Sequence, residues 1–174
     1  MNIYELSQKA LSNKDLYHLF DNNIKIYKYS DLLQFDTIND AFHPFNIIFI
    51  LYEIEQNFGH WCVICQDKNT IYFFDPYGLF PDDELVYTDK FMNETFHRSS
   101  IPKLSVLLIK SPKRVVYNKY QLQDPSNLDI ATCGRWCALY ALLYQSINID
   151  EFGKLFLQYK TNPDYIVTLL TNFI

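Results

Sequence analysis

The sequence predicts an α+β domain in which a central mixed sheet is flanked by helices. Apolar residues have helical spacing near the start of the chain, form short β-branched and aromatic runs in the middle, and return to helical spacing after residue 133. Of the 174 residues, 49% are hydrophobic and 17% aromatic, with 4 Gly and 7 Pro, which indicates a dense core and excludes disordered or collagen-like chains. No repeat divides the sequence, so we expect one domain over residues 1–174.

The first part of the chain is expected to supply helices and then strands. Residues 4–20 carry apolar side chains at helical spacing, and Ser30 is a suitable N-cap for a second short helix. Runs of β-branched or aromatic residues between turn formers predict strands over 46–51, 60–66, 70–75 and 104–110. Residues 83–96 fit a connecting helix between the last two strands.

The last third of the chain is expected to pack as helices against this sheet. An apolar helix begins near Cys133, and two further helices are predicted over 150–158 and 163–170. Asn162 is a suitable cap for the last of these, with Pro163 in its first turn.

Charge and cysteine content exclude several classes of protein. The net charge is -5, and Lys113-Arg114 is the longest basic run, which argues against a nucleic-acid-binding groove. No apolar stretch reaches the roughly 20 residues of a membrane span, and the first ten residues lack a signal-peptide pattern. We therefore expect an intracellular protein whose four cysteines are free thiols, metal ligands or a nucleophile rather than disulfides.

Three short segments concentrate the scarce glycine and tryptophan residues together with reactive side chains. They are Gly59-His60-Trp61, Asp75-Pro76-Tyr77-Gly78 and Cys133-Gly134-Arg135-Trp136. In that order they supply an imidazole, a carboxylate and a thiol, which are the groups of a thiol-dependent nucleophilic site.

The first two segments fit the two strands of a hairpin. If the turn is symmetric about Asp67 and Lys68, Gln66 faces Asn69 and His60 directly faces Asp75, with Cβ atoms roughly 5 Å apart. The carboxylate can then orient the imidazole. Taken alone, the same pattern also fits a surface hairpin with a chance His-Asp pair.

The third segment places a thiol at the start of a helix. Unpaired backbone N–H groups and the helix dipole at such a position favour the thiolate form of a cysteine. Gly134 allows a substrate backbone to approach, and the N–H of Cys133 can donate to an oxyanion. The alternative is a buried Cys133 that acts only as a small apolar residue.

Together the motifs GHW, FFDPYG, QxP and CGxWC resemble the adenovirus protease (adenain) family and, more distantly, the Ulp/SENP peptidases of the same cysteine peptidase clan. The stretches ILYEIEQNFGHW and ATCGRWCALY are most similar to the adenain-like maturation proteases of virophages and Maverick elements. The resemblance covers residues 47–144. It implies the papain-like-clan fold of these cysteine peptidases.

The resemblance also implies a role for each matching residue. His60 would be the general base, Asp75 its orienting acid, Cys133 the nucleophile and Gln123 the oxyanion donor, with Gln121 as the alternative donor. The stretch from Gln123 to Cys133 is about three residues longer than in adenain. Gly59, Trp61 and Gly134 would contact substrate, although Trp61 could equally fill the core.

The implied activity is that of a thiol endopeptidase that cleaves viral capsid or core precursors near small residues such as Gly during virion maturation. An isopeptidase for ubiquitin-like modifiers is the alternative. We expect a protein substrate, no cofactor, no metal and no membrane partner, and a short peptide activator remains open. The negative charge argues against the DNA activation known for adenain. The expected location is the host cytoplasm or viral factory, with packaging in the virion as a further option.

Two other classes of function use the same residues. Zinc could be bound by the pairs Cys62/Cys65 and Cys133/Cys137, or by His60 and Cys62 with the two helix cysteines. Cys62 and Cys65 should lie on opposite faces of a regular strand, which argues against the first set. A non-catalytic peptide-binding module is the remaining alternative, although every member of the triad is present.

Overall fold

The computed structural model describes residues 2–56, 58–86 and 102–172. In chain order its α-helices and β-strands are α1 (Ile3–Ser7), α2 (Asn13–Leu19), β1 (Lys25–Lys28), α3 (Ile38–Phe42), β2 (Ile47–Glu55), β3 (Phe58–Gln66), β4 (Thr70–Phe74), α4 (Lys103–Ile109), β5 (Arg114–Tyr117), α5 (Cys133–Leu143), α6 (Ile149–Leu157) and α7 (Pro163–Leu170). Two 3-10 helices, Tyr29–Gln34 and Asp83–Val86, complete the secondary structure of these residues.

The strands form one mixed sheet in the order β1-β2-β3-β4-β5. β3 lies in the centre and is antiparallel to both β2 and β4, while the outer pairs β1/β2 and β4/β5 are parallel. Helices cover both faces of this sheet. The predicted α+β fold with a central mixed sheet is therefore confirmed.

Alternating side chains of the sheet enter two separate hydrophobic clusters. One cluster contains Trp61, Val63, Cys65 and Phe74 together with the buried face of α5. The other contains Tyr52, Cys62, Ile64 and Phe73, which pack with α3, α4 and the first 3-10 helix. Successive residues of a strand point to opposite faces, so β3 contributes to both clusters and is buried along most of its length.

The predicted helix over residues 4–20 is divided into α1 and α2. Ser12 starts α2 through a capping box, in which its hydroxyl accepts from the backbone N–H of Asp15 and the Asp15 carboxylate accepts from the backbone N–H of Ser12. Such a cap stabilises a new helix start, because it satisfies backbone donors that have no partner in the helix.

The strand predicted over residues 104–110 is wrong, because this segment forms α4. Leu104, Leu107 and Leu108 are buried at helical spacing, whereas Ile109 is 82% exposed. A short apolar run fits a strand or a buried helix equally well on composition, and the packing of these three leucines in one core cluster decides for the helix. The sheet instead takes β1 and β5, two four-residue edge strands.

The other predicted elements agree with the structure where it describes them. Tyr29–Gln34 is a 3-10 helix near the predicted start at Ser30, and α5, α6 and α7 match the three predicted C-terminal helices. Asn162 caps α7 by accepting from the N–H of Asp164. Of the helix predicted over 83–96, Asp83–Val86 is a 3-10 helix, and residues 87–96 lie outside the described part. No helix within the described ranges is long and apolar enough to cross a membrane.

Candidate active site

His60 and Asp75 form a buried hydrogen-bonded pair at one end of the sheet. The Nε2 atom of His60 lies 2.8 Å from Oδ1 of Asp75, and His60 is 4% exposed and Asp75 is fully buried. An ionised carboxylate only accepts hydrogen bonds, so Nε2 carries the proton and the second ring nitrogen, Nδ1, is the one suited to act as a base. The pair expected from the sequence is therefore present.

The turn after β4 fixes the Asp75 carboxylate. Oδ1 also accepts from the backbone N–H of Tyr77 at 2.8 Å, and Oδ2 accepts from that of Leu79 at 3.2 Å. The side chain of Asn118 donates to the Asp75 carbonyl at 2.7 Å. Asp75 thus accepts hydrogen bonds through both its side chain and its backbone, which holds the carboxylate in one orientation.

The register of the hairpin differs from the predicted one by two residues. Gln66 pairs with Ile71 and Val63 with Phe74, whereas the symmetric turn requires Gln66 opposite Asn69. Asp67 lengthens the turn, because its carboxylate accepts from the N–H groups of Asn69 and Thr70, both at 2.8 Å. The predicted direct His60-Asp75 register is therefore wrong.

A shift of two residues keeps every side chain on the same face of the sheet, because side chains alternate with a period of two. Asp75 becomes a diagonal neighbour of His60, still within reach of its ring. The position facing His60 in the extended register is Tyr77, whose ring stacks on the imidazole with centroids 3.8 Å apart. His60 and Asp75 are therefore in contact although the predicted register is wrong by two residues.

Cys133 is the first residue of α5, and the next residue, Gly134, packs against Trp61, the neighbour of His60 in β3. The Cys137 thiol contacts the Trp61 carbonyl oxygen at 3.1 Å, and the Tyr144 hydroxyl donates to the Gln66 carbonyl at 3.3 Å. These two contacts align α5 with β3, so that the helix begins beside the strand segment that carries His60. Cys133 is 7% exposed and a free thiol.

The last helix, α7, holds the first turn of α5. The buried Asp164 carboxylate accepts from the Thr132 hydroxyl and from the Trp136 indole N–H, the latter at 3.0 Å. The Arg135 guanidinium donates to the Thr171 carbonyl at 2.9 Å. Burial raises the pKa of Asp164 and lowers that of Arg135. Sequence reasoning missed Asp164, and no local pattern marks it, because its partners lie about 30 residues away.

The structure separates the two candidate oxyanion glutamines by burial. Gln123 is 2% exposed, and its side-chain N–H donates to the Ile130 carbonyl at 3.2 Å, while Oε1 has no hydrogen-bond partner among the residues that the structure describes. The backbone N–H of Gln123 donates to the Pro76 carbonyl at 3.1 Å, next to Asp75. Gln121 is exposed. The longer loop thus returns Gln123 to the region between Asp75 and the start of α5.

The three residues suggested for substrate contact are packed against other parts of the protein. A Cβ atom at Gly59 would lie 2.0 Å from the Tyr52 carbonyl oxygen, and one at Gly134 would lie 3.1 Å from both Leu11 and Trp61. Trp61 is 4% exposed and donates its indole N–H to the Leu11 carbonyl at 3.2 Å. Of its two suggested roles, the structure places Trp61 in the core, beside Gly134.

A second thiol lies close to the His-Asp pair. Donor atoms of His60, Cys62 and Asp75 all lie within 4.8 Å of one another. Cys62 is fully buried on the opposite side of the sheet from Cys65, Cys133 and Cys137. The zinc sets built from the four cysteines are therefore not assembled, whereas the three hairpin residues could supply nitrogen, sulfur and oxygen ligands.

Comparison with solved structures identifies proteins of similar fold. No known family profile matches the chain. The fold is similar to that of the ASFV pS273R protease in two crystal structures. One gives a TM-score of 0.50 at 12% identity over 92% of this chain and 67% of that protein. The selenomethionine form gives 0.52 at 10% identity over 94% and 67%. The chain thus has a viral cysteine protease fold, in agreement with the predicted adenain/Ulp-like layout.

A close relative is known from sequence. The chain is 39% identical over 167 residues to the uncharacterized protein V9 of Sputnik virophage, and the alignment covers 93% of this chain and 94% of V9. Identity at this level over nearly the full length of both proteins reflects common descent. The chain therefore belongs to the same protein family as V9 of Sputnik virophage.

Proposed function

We propose that the protein is a cysteine endopeptidase with His60, Asp75 and Cys133 as its catalytic triad. The observation that supports this proposal most directly is the buried His60-Asp75 hydrogen bond at 2.8 Å, next to Trp61, against which the first turns of α5 pack. A carboxylate that binds one imidazole nitrogen fixes the orientation of the ring, so that the other nitrogen can act as the base for a thiol. The viral cysteine protease fold supports the same chemistry.

The reaction is acyl transfer through a thioester. His60 Nδ1 accepts the Cys133 thiol proton, and Asp75 stabilises the resulting imidazolium through the Nε2–H. The thiolate sulfur attacks the scissile carbonyl carbon, and collapse of the tetrahedral intermediate breaks the C–N bond as the imidazolium gives its proton to the leaving amine. Water then attacks the thioester carbon and gives a proton to His60. The C–S bond breaks to release the carboxylic acid, and His60 returns the proton to the Cys133 thiolate.

Two donors are suited to stabilise the negative charge on the carbonyl oxygen. They are the backbone N–H of Cys133, at the start of a helix, and the side-chain amide of Gln123. Burial of Gln123 beside the Asp75 turn supports its assignment over Gln121. A buried amide of this kind can act in a water-poor site, where each hydrogen bond to a developing charge is strong.

The substrate that fits best is a viral capsid or core precursor cleaved near glycine during virion maturation. Kinship with a virophage protein and the adenain-like motifs support this assignment. It places the enzyme in the host cytoplasm or viral factory, or in the virion itself. A peptidase assay with capsid precursor, set against SUMO and ubiquitin fusions, distinguishes this role from the isopeptidase alternative.

The proposal is tested first at the nucleophile. We expect Cys133→Ser to abolish cleavage while the folded protein keeps its far-ultraviolet circular dichroism. An alkylating reagent should label Cys133 faster than Cys62, Cys65 or Cys137, because burial raises the pKa of Cys65 and Cys62 is fully enclosed. Wild-type cleavage by Cys133→Ser, or loss of cleavage in Cys62→Ala with Cys133→Ser active, would overturn the assignment.

The orienting acid is tested by Asp75→Asn. An amide can present its N–H to the imidazole and stabilise the wrong tautomer, which in a serine protease triad lowers kcat about 10,000-fold. We expect a large loss of kcat here, with Asp129→Asn, an exposed loop residue, as the matched control. Equal activity of the two variants would contradict the role of Asp75.

A metal site is a second candidate function, because donor atoms of His60, Cys62 and Asp75 lie within 4.8 Å of one another. These are the ligand types that zinc prefers. Mass spectrometry of metal content in the purified protein tests this candidate. A stoichiometric zinc ion that is lost in Cys62→Ala, together with no cleavage by the wild type, would favour the metal site over the peptidase.

A further inference from the structure

The ring of Tyr77 lies flat on the imidazole of His60. The two ring centroids are 3.8 Å apart and the planes are inclined by 16°. Tyr77 is itself half-buried, whereas His60 beneath it is 4% exposed. Tyr77 therefore covers one face of the imidazole while Asp75 binds its edge.

The turn that follows β4 builds this contact. The N–H of Gly78 donates to the Asp75 carbonyl at 2.9 Å, which closes a four-residue turn with Pro76 in its second position and Tyr77 in its third. Asp, Pro and Gly are favoured at the first, second and fourth positions of such a turn, and Gly78 has a φ of +75°, which glycine adopts without strain. The Pro76 carbonyl accepts from the backbone N–H groups of Leu122 and Gln123. These two hydrogen bonds join the turn to the loop that precedes α5.

Tyr77 is connected to the His-Asp pair twice. Its backbone N–H donates to Asp75 Oδ1 at 2.8 Å, the same oxygen that accepts from His60 Nε2. Its side chain stacks on the imidazole that makes that second bond. A rotation of the imidazole about its Cβ–Cγ bond would break the hydrogen bond to Asp75 and drive the ring edge into the tyrosine.

We propose that Tyr77 is a positioning residue of the active site, whose ring holds the imidazole plane so that Nε2 stays on Asp75 and Nδ1 points to the reacting thiol. This inference rests on the proposed peptidase activity. The aromatic ring provides the effect, because the stack uses its face. The Tyr77 hydroxyl is not required.

The variants Tyr77→Phe and Tyr77→Leu separate the ring from simple bulk. We expect Tyr77→Phe to keep the wild-type kcat, and Tyr77→Leu to lose about 100-fold in kcat, the usual cost of misplacing a reacting group by about 1 Å. KM should stay unchanged, because the ring contacts the base rather than the substrate. Tyr117→Leu is the matched control, since Tyr117 also packs on an aromatic ring, Phe80, with centroids 4.5 Å apart.

A spectroscopic measurement tests the contact independently of peptidase activity. The His60 Nε2–H, held by Asp75, should give a slowly exchanging downfield proton coupled to 15N, assigned by its loss in His60→Gln. We expect this signal in the wild type, Tyr77→Phe and Tyr117→Leu, and its loss or rapid exchange in Tyr77→Leu.

Each outcome decides a different proposal. Wild-type kcat and an intact signal in Tyr77→Leu would overturn the positioning role, as would a raised KM with unchanged kcat. A wild-type protein without peptidase activity would overturn the proposed function, while the downfield signal would still decide whether Tyr77 holds the imidazole.

Discussion

At the residue scale, His60 and Asp75 are in contact even though the strand register predicted for them is wrong. A hairpin turn longer than the symmetric one moves β4 by two positions relative to β3, yet His60 and Asp75 stay on one face and 2.8 Å apart. A shift of one position would have placed Phe74 or Pro76 beside the imidazole, and neither side chain can accept a hydrogen bond from it. The site therefore requires that His60 and Asp75 point to the same face of the sheet, which any register shift by an even number of residues preserves.

Gln123 is the proposed side-chain donor to the oxyanion. We expect Gln123→Ala to lower kcat by about 100- to 1,000-fold, the usual effect of removing one oxyanion donor, with KM little changed. Gln121→Ala should leave both constants near wild type, because Gln121 is exposed. Steady-state kinetics on a peptide substrate measure both variants.

The same experiment needs a check on folding, because Gln123 also bonds the Ile130 carbonyl. Thermal unfolding of Gln123→Ala should show a folded protein at the assay temperature. If Gln121→Ala lost all peptidase activity while Gln123→Ala stayed active, Gln121 would be the oxyanion donor and the proposed triad would be unchanged.

At the scale of elements, α7 determines how α5 presents Cys133. Thr132, immediately before the cysteine, and Trp136, one turn after it, both donate to the Asp164 carboxylate, and Arg135 bonds the end of α7 at Thr171. A buried carboxylate costs free energy unless it is well hydrogen-bonded. Here the two donors come from the helix turn that carries the proposed nucleophile.

Asp164→Ala should destabilise the fold by about 2–3 kcal/mol, because it leaves two buried donors without their acceptor. Asp164→Asn keeps an acceptor oxygen for Thr132 and Trp136, and we expect it to retain most of the free energy of unfolding that Asp164→Ala loses. Asp129→Ala, at an exposed position, is the control. Urea unfolding at pH 7 measures all three variants, and equal stability of Asp164→Ala and Asp129→Ala would show that the bonds to α7 contribute little.

At the scale of the whole molecule, the acidic residues make opposite contributions to the pH dependence of stability. Hydrogen bonds from the Ser12 backbone and hydroxyl hold the pKa of Asp15 below its ordinary value of 3.8, and those from Tyr72 and Asn69 do the same for Asp67. A lowered pKa gives stability that is complete above the unfolded value and is lost as pH falls through the folded value. Burial raises the pKa of Asp164. Its contribution to the free energy of unfolding therefore has the opposite pH dependence, and protonation of Asp164 favours the folded state.

We therefore expect the free energy of unfolding to rise slightly as pH falls through the raised pKa of Asp164 toward its ordinary value of 3.8, and to drop below pH 3.8. The variant Asp15→Asn with Asp67→Asn should be less stable at neutral pH and lose less between pH 4 and pH 2 than the wild type. Asp164→Asn should remove the rise above pH 4. Urea unfolding across this pH range checks the signs, and a wild-type curve that falls steadily from pH 7 would contradict the role of Asp164.

Features that depend on neighbouring residues could be predicted from the sequence alone. Runs of β-branched and aromatic residues between turn formers identified β2, β3 and β4, and the Asn162-Pro163 cap identified α7, because turn formers and caps act within a few residues. Scarce glycine and tryptophan marked the segments that carry His60, Asp75 and Cys133. These local signals were enough for the α+β fold and for the composition of the candidate site.

Features that depend on residues far apart in the chain could not be predicted, because they arise from the packing of separate elements. The edge strands β1 and β5 exist because β2 and β4 offer them partners, and α4 is a helix because its three leucines pack into the second core cluster. The bonds of Asp164 to Thr132 and Trp136 join residues about 30 positions apart. The stack of Tyr77 on His60 follows from a register that the Asp67 turn sets. No local pattern encodes these contacts, because each depends on how separate elements pack together.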